Sequence, residues 1–116
     1  MTWIAEMPIV WIIGGERVPG QIAIGAPEFV PDGDNEAICP ITMGGLDGPG
    51  RVTTIHGEGK FHALLLGISF IERRIRDSVA QGVRVVLPDE EDDPERATEF
   101  LVGLFQRFHE RPPSDS

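Results

Sequence analysis

A chain of 116 residues falls within the usual size of one domain and is too short for two independent cores. Its hydrophobic fraction of 41% and charged fraction of 25% exclude overall disorder. With 19 acidic against 10 basic residues, the net charge of −9 repels a phosphate backbone, so nucleic acid is not an expected partner.

The acids are unevenly spread. Residues 1–57 and 83–116 each carry a net −5, whereas 58–82 carry +1 and hold the one basic concentration, Arg73, Arg74 and Arg76. One cysteine, Cys39, rules out a disulfide within the chain and fits a reducing compartment. Met1 is followed by no basic region ahead of the first apolar residues, so no signal peptide is expected. The apolar run Ile9 to Ile13 is far shorter than the roughly 20 residues of a membrane span. A soluble, cytoplasmic protein with no membrane partner is the expectation.

Pro8 to Ile13 reads as a strand closed by Gly14-Gly15, a pair suited to the positive φ angles of a two-residue hairpin turn. The return strand spans Glu16 to Ile24, with a bulge or a sheet edge expected at Pro19-Gly20 because proline cannot donate to a ladder. Gly25 to Asn35, with Pro27, Pro31, Asp32, Gly33 and Asp34, reads as a loop. Glu36 to Met43 and Arg51 to His56 give a third and a fourth strand, joined by a glycine-rich turn.

The period then becomes helical. Phe61, Leu64, Leu65, Ile68, Ile71, Ile75 and Val79 define an apolar stripe, with Glu72, Arg73, Arg76 and Asp77 off it, and predict a helix over 58–81 ended by Gly82. Val83 to Leu87 fits a fifth strand. Asp93-Pro94 supplies an N-cap and a first-turn proline for a helix over 94–111, on which Phe100, Leu101, Leu104, Phe105 and Phe108 are expected to be buried. The expected fold is α+β: an antiparallel meander of four or five strands packed against two amphipathic helices. One domain over 1–111 and a C-terminal tail over 112–116 complete it.

The candidate sites are few. His56, Gly57, Gly59, Lys60 and His62 surround a predicted strand-to-helix turn, where backbone N–H groups and a lysine make a generic anion site. A phosphate loop would need a glycine five residues before the Gly-Lys pair and a Ser or Thr after it. Those positions hold Thr54 and Phe61, so the plainer reading is a tight turn. Asp32 to Glu36 lacks the sixth-position glycine and twelfth-position glutamate of a calcium loop. No histidine pair has the i, i+4 spacing of a zinc motif, so neither metal nor cofactor is expected. Asp89, Glu90, Glu91, Asp92 and Asp93 form an acidic run: a solvated loop, a surface for a basic partner, or a partner for Arg73, Arg74 and Arg76. Ser69 falls mid-helix, away from any nucleophile elbow. Cys39 is expected to be buried and unreactive.

The order of Gly14-Gly15, Ile24-Gly25-Ala26-Pro27, Cys39-Pro40 and the helix with Ala63-Leu64-Leu65-Leu66 resembles a family of small, uncharacterised bacterial domains. The resemblance covers about residues 9–80. It implies a fold and a bacterial source and carries no activity. The family's Asp and Gln near that helix start are replaced here by Gly59 and His62.

No set of nucleophile, base and orienting acid is visible, so the sequence reads as a binding or accessory protein, such as a toxin-neutralising factor, rather than an enzyme. It would act on a protein partner or on itself as a homodimer. The case for the homodimer is that Trp11 sits in a strand apolar on both faces, so that Trp3, Trp11 and their apolar neighbours either lie under the second helix or meet another subunit. The alternative is a small enzyme or anion-binding module at Gly57 to Lys60.

Overall fold

The computed structural model of the chain describes residues 2–48, 50–89 and 93–106. The architecture is the expected α+β type, an antiparallel sheet carrying two helices, with six strands where four or five were predicted. Strands β1 (Trp3–Ile13), β2 (Glu16–Gly25), β4 (Glu36–Gly44) and β5 (Thr53–Glu58) follow one another as a meander. Strand β3 (Glu28–Phe29) lies beside the first half of β4, and β6 (Arg84–Val86) returns to pair with the far side of β1.

Local chemistry explains most of the boundaries. Gly14 and Gly15 have φ of 59° and 85°, which suits the two-residue turn that sets Ile13 opposite Glu16. Pairing of β1 with β2 runs unbroken past Pro19, so the bulge expected there is absent, and the register shift falls between Trp3 and Ala5. Pro19 meets the alternative expectation of an edge, because β4 pairs with β2 only over 21–24. Two other expectations are corrected. The predicted loop over 25–35 contains β3, and β1 begins five residues before Pro8, because pairing with β2 carries both segments beyond their apolar cores.

Helix α1 (Lys60–Ala80) lies on β4 and β5, and α2 (Pro94–Gln106) on β6 and α1. Along α1 the buried side is rotated from the predicted stripe. Ala63, Gly67, Ile71, Ile75 and Ser78 face inward, while Phe61 is 74% exposed and Leu65 is exposed too. The reason is closeness. A Cβ on Gly67 would stand 3.2 Å from Cys39 Sγ and from Ile24 Cδ1, and one on Gly57 would stand 2.6 Å from Ala63 N. Small residues let the helix axis sit low on the sheet, and the larger Phe61 and Leu65 are left on the upper side. Glu72, placed off the stripe by the sequence, is buried and pairs with Arg76 one turn on.

The core joins both helices to one sheet face through Ile9, Trp11, Ile22, Ile41, Met43, Ile71, Ile75, Val85 and Leu101. Trp11 is 1% exposed, and its Nε1 donates to Gly44 O at 2.8 Å. The argument that Trp11 needs a second subunit to cover it is therefore corrected: the chain buries Trp11 itself. Glycine at 20 and 45 is required by the backbone and the indole together: a Cβ on Gly20 would collide with Gly44 O and stand 2.8 Å from Trp11 Nε1, and one on Gly45 would stand 2.8 Å from Pro19 O and 2.9 Å from Trp11 Cδ1.

Helix α2 is capped as expected. Asp93 Oδ1 accepts from Arg96 N, and Asp93 O accepts from Ala97 N at 2.9 Å. Leu101 is 1% exposed, but Phe100, at 62%, faces outward and Leu104 stays 38% exposed, contrary to the predicted stripe. Thr98 takes the inward position: its Oγ1 accepts from Val85 N at 2.8 Å and donates to Val85 O at 3.0 Å. The helix thus docks through a hydroxyl on the sheet edge, which turns Phe100 away. The Phe105 side chain and residues 107–116, including Phe108 and the predicted tail, lie outside the described residues.

Candidate functional site

The strand-to-helix turn forms an open depression of about 580 Å³ lined by Asp34, Asn35, Glu36, His56, Gly57, Glu58 and His62. Gly59 ends the strand with φ 85°, and its N–H donates to Asn35 O at 2.7 Å, tying the turn to the start of β4. Of the predicted anion-site residues, His56, Gly57 and His62 come together here. Lys60 turns away, its Nζ lying 5.1 Å from the centroid of the Phe29 ring. Neither Gly59 nor Lys60 lines the depression.

Both imidazoles already have partners. His56 Nδ1 is 2.5 Å from Glu36 Oε2, and both side chains are exposed. His62 Nδ1 accepts from Glu58 N at 2.8 Å, which leaves Nε2 to carry the proton of a neutral ring. Asp34, Glu36 and Glu58 give the depression an acidic lining, which opposes a bound anion. Among the described residues no three His, Cys, Asp or Glu side chains are grouped to hold a metal.

A second concavity lies between the helices. About 280 Å³ in volume, it is a groove where Ile68 and Ile71 of α1 and Leu104 of α2 stand over Ala5, Met7, Ile22 and Ile24 of the sheet. Its lining is apolar apart from Glu6, whose place between Ala5 and Met7 on β1 turns its side chain toward the other face of the sheet. The groove exists because α1 covers β4 and β5 while α2 covers β6. The Trp3–Met7 half of β1, which β6 does not reach, is left bare. The sequence reading missed it, since it assigned Leu104 and Ile68 to the core. The small residues Ala63 and Gly67, one turn apart on α1, were the available sign that the helix would press sideways onto the sheet.

The remaining candidates are dispersed. Of the acidic run, Asp89 is exposed and Asp93 caps α2, and residues 90–92 lie outside the described residues. Arg74 pairs with Asp47 and Arg76 with Glu72, and neither ion pair involves Asp89 or Asp93. Arg84, at the edge strand, reaches Glu95 at 2.6 Å and the carbonyls of Val79 and Val83. Cys39 is free and buried, and burial pushes its thiol pKa up from the ordinary value. No helix among the described residues is long and apolar enough to cross a membrane. Comparison with known proteins found no matching family model, no matching curated protein and no matching solved structure.

Proposed function

We propose that this chain is a non-catalytic interaction module, an accessory or neutralising factor of the small bacterial type that the sequence resembles, acting in the cytoplasm. The observation that carries the reading is the groove over Met7, Ile22, Ile24 and Ile68, with exposed Leu65 one turn from Ile68 and exposed Phe100 one turn from Leu104. Apolar surface of this kind, left open between two helices, suits a protein partner.

Charge selects the partner's chemistry. The chain carries −9, and among the described residues no basic side chain lines the groove. The fitting occupant is an amphipathic segment whose apolar side enters the groove and whose flanks carry Lys and Arg. The alternative, an anion or a substrate at Gly57 to Lys60, is weakened by the three carboxylates and by the engagement of both histidines and Lys60.

Fluorescence anisotropy with three labelled helical peptides tests the reading. The peptides share one apolar face and carry positive, zero or negative net charge. The basic peptide binds, and Leu104→Glu abolishes binding although it makes the protein more acidic. Attraction by charge alone would instead strengthen with that substitution, and equal or stronger binding by the variant refutes the groove.

A further inference from the structure

The outer edge of β5 is a hydrogen-bonding edge of the sheet, and two backbone contacts fix its parity. Gly59 N–H donates to Asn35 O, so odd-numbered groups of this segment face β4. Glu58 N–H donates to His62 Nδ1, so even-numbered groups face away. Alternation along an antiparallel strand then turns the N–H and C=O of Thr54 and His56 outward. Pro40, the residue opposite Thr54, agrees, because a wide pair asks no donor of the proline toward β5.

Most of the other edges of the described sheet are blunted. Thr98 satisfies both backbone groups of Val85 on β6. Pro8 removes one outward donor from the free half of β1, where Glu6 keeps its own, Pro19 does the same for β2, and β3 is two residues long. Strand β5 has no such device between Thr53 and Gly57.

Helix α1 adds a second feature to that edge. His62 touches the end of β5, and Leu66 and Phe70 follow it at i+4 and i+8 on the same side of the helix. The helix runs back over the strand, and four helical residues advance about 6 Å, close to the roughly 6.6 Å of two strand residues. Leu66, 37% exposed, and the partly buried Phe70 therefore form an apolar row above the open edge.

We propose that β5 pairs antiparallel with β5 of a second copy of this chain, about a two-fold axis at Ile55. Thr54 then lies opposite the partner's His56, and Glu58 opposite the partner's Val52, so no like charges face each other. Strands stand about 4.8 Å apart, and α1 rests on β4 and β5 alike. Its axis is thus roughly 5 Å from the two-fold, which sets the two α1 axes roughly 10 Å apart, a normal helix-packing distance. Leu66, above His56, then meets the partner's Phe70, above Thr54, and the reciprocal pair gives the self-complementarity that a two-fold interface needs. This surface is separate from the apolar groove.

Sedimentation equilibrium tests the dimer. The wild-type chain sediments at twice its 12.7 kDa mass at micromolar concentration. Thr54→Pro halves that mass and leaves the far-UV circular dichroism unchanged, because the Thr54 N–H is the outward one. Leu66→Lys, at an exposed helix position, does the same and keeps the test valid if the proline variant misfolds. Amide exchange at Thr54 and His56 slows at least tenfold between dilute and concentrated protein. A wild-type monomer across that range, or a dimer that survives both substitutions, overturns the proposal.

Discussion

Replacing Thr98 by valine keeps the shape of the side chain and removes its hydroxyl. Thr98 is 2% exposed, and that single oxygen serves both Val85 N, at 2.8 Å, and Val85 O, at 3.0 Å. Val85 pairs with Trp11 in β6, but its own backbone groups point away from β1, so no strand replaces the hydroxyl. Valine would leave one donor and one acceptor buried without partners, at about 1–3 kcal/mol each. Allowing for some relaxation, the loss is about 2–4 kcal/mol, or roughly 6–20 °C in Tm for a domain of this size. Thr98→Ser keeps both hydrogen bonds and removes one methyl group, at about 1 kcal/mol. Urea denaturation of the three proteins, followed by Trp fluorescence, measures the ordering. If the valine variant is as stable as the serine variant, the hydroxyl does not hold α2 to the sheet.

Further consequences follow from burial. Leu101→Ala, in the core, loses about 2–5 kcal/mol, whereas Phe100→Ala, on the exposed side of α2, stays within about 0.5 kcal/mol of wild type in the same melts. Gly57→Ala forces a Cβ to 2.6 Å from Ala63 N, a backbone atom that cannot step aside, and loses about 1–3 kcal/mol. In the folded protein Cys39 resists a thiol reagent at pH 8 and reacts once the chain is denatured. Because burial raises its pKa, the folded state favours the neutral thiol. That stability is whole below the ordinary value of 9.0 and is lost as pH rises through the raised value. A pH series of urea melts on wild type and Cys39→Ala isolates the effect as the difference between the two proteins, and no tyrosine adds to it.

The strands were legible where turn chemistry spoke directly, at Gly14-Gly15, in the shared face of Val18, Ile22 and Ile24 on β2, and in the apolar run of β4. The Asp93-Pro94 start of α2 was equally plain. Strand β3 was hidden because two residues held only by pairing with Ala37 and Ile38 have no period of their own. The faces of the helices were misread for one physical reason. A hydrophobic stripe marks what would gain from burial, but how close a helix can approach is set by its smallest residues. On α1 those are Ala63, Gly67 and Ser78, and on α2 Thr98 won the inward position through hydrogen bonding. The convergence of His56 and His62 followed from their flanking the turn. The diversion of Lys60 to Phe29 did not, because Phe29 sat in a segment read as loop. The apolar groove depends on which strands each helix covers, and no local pattern reports that.

The central claim, that this chain works through an apolar docking groove rather than through chemistry at the strand-to-helix turn, has a direct test. Protein labelled both at methyl groups and at backbone nitrogen is titrated with the basic amphipathic peptide and followed by nuclear magnetic resonance. Resonances of Met7, Ile22, Ile24, Ile68 and Leu104 shift and saturate together, while His56 and His62 stay unchanged. Shifts confined to His56, Gly57 and His62, or none at any methyl of the groove, would contradict it.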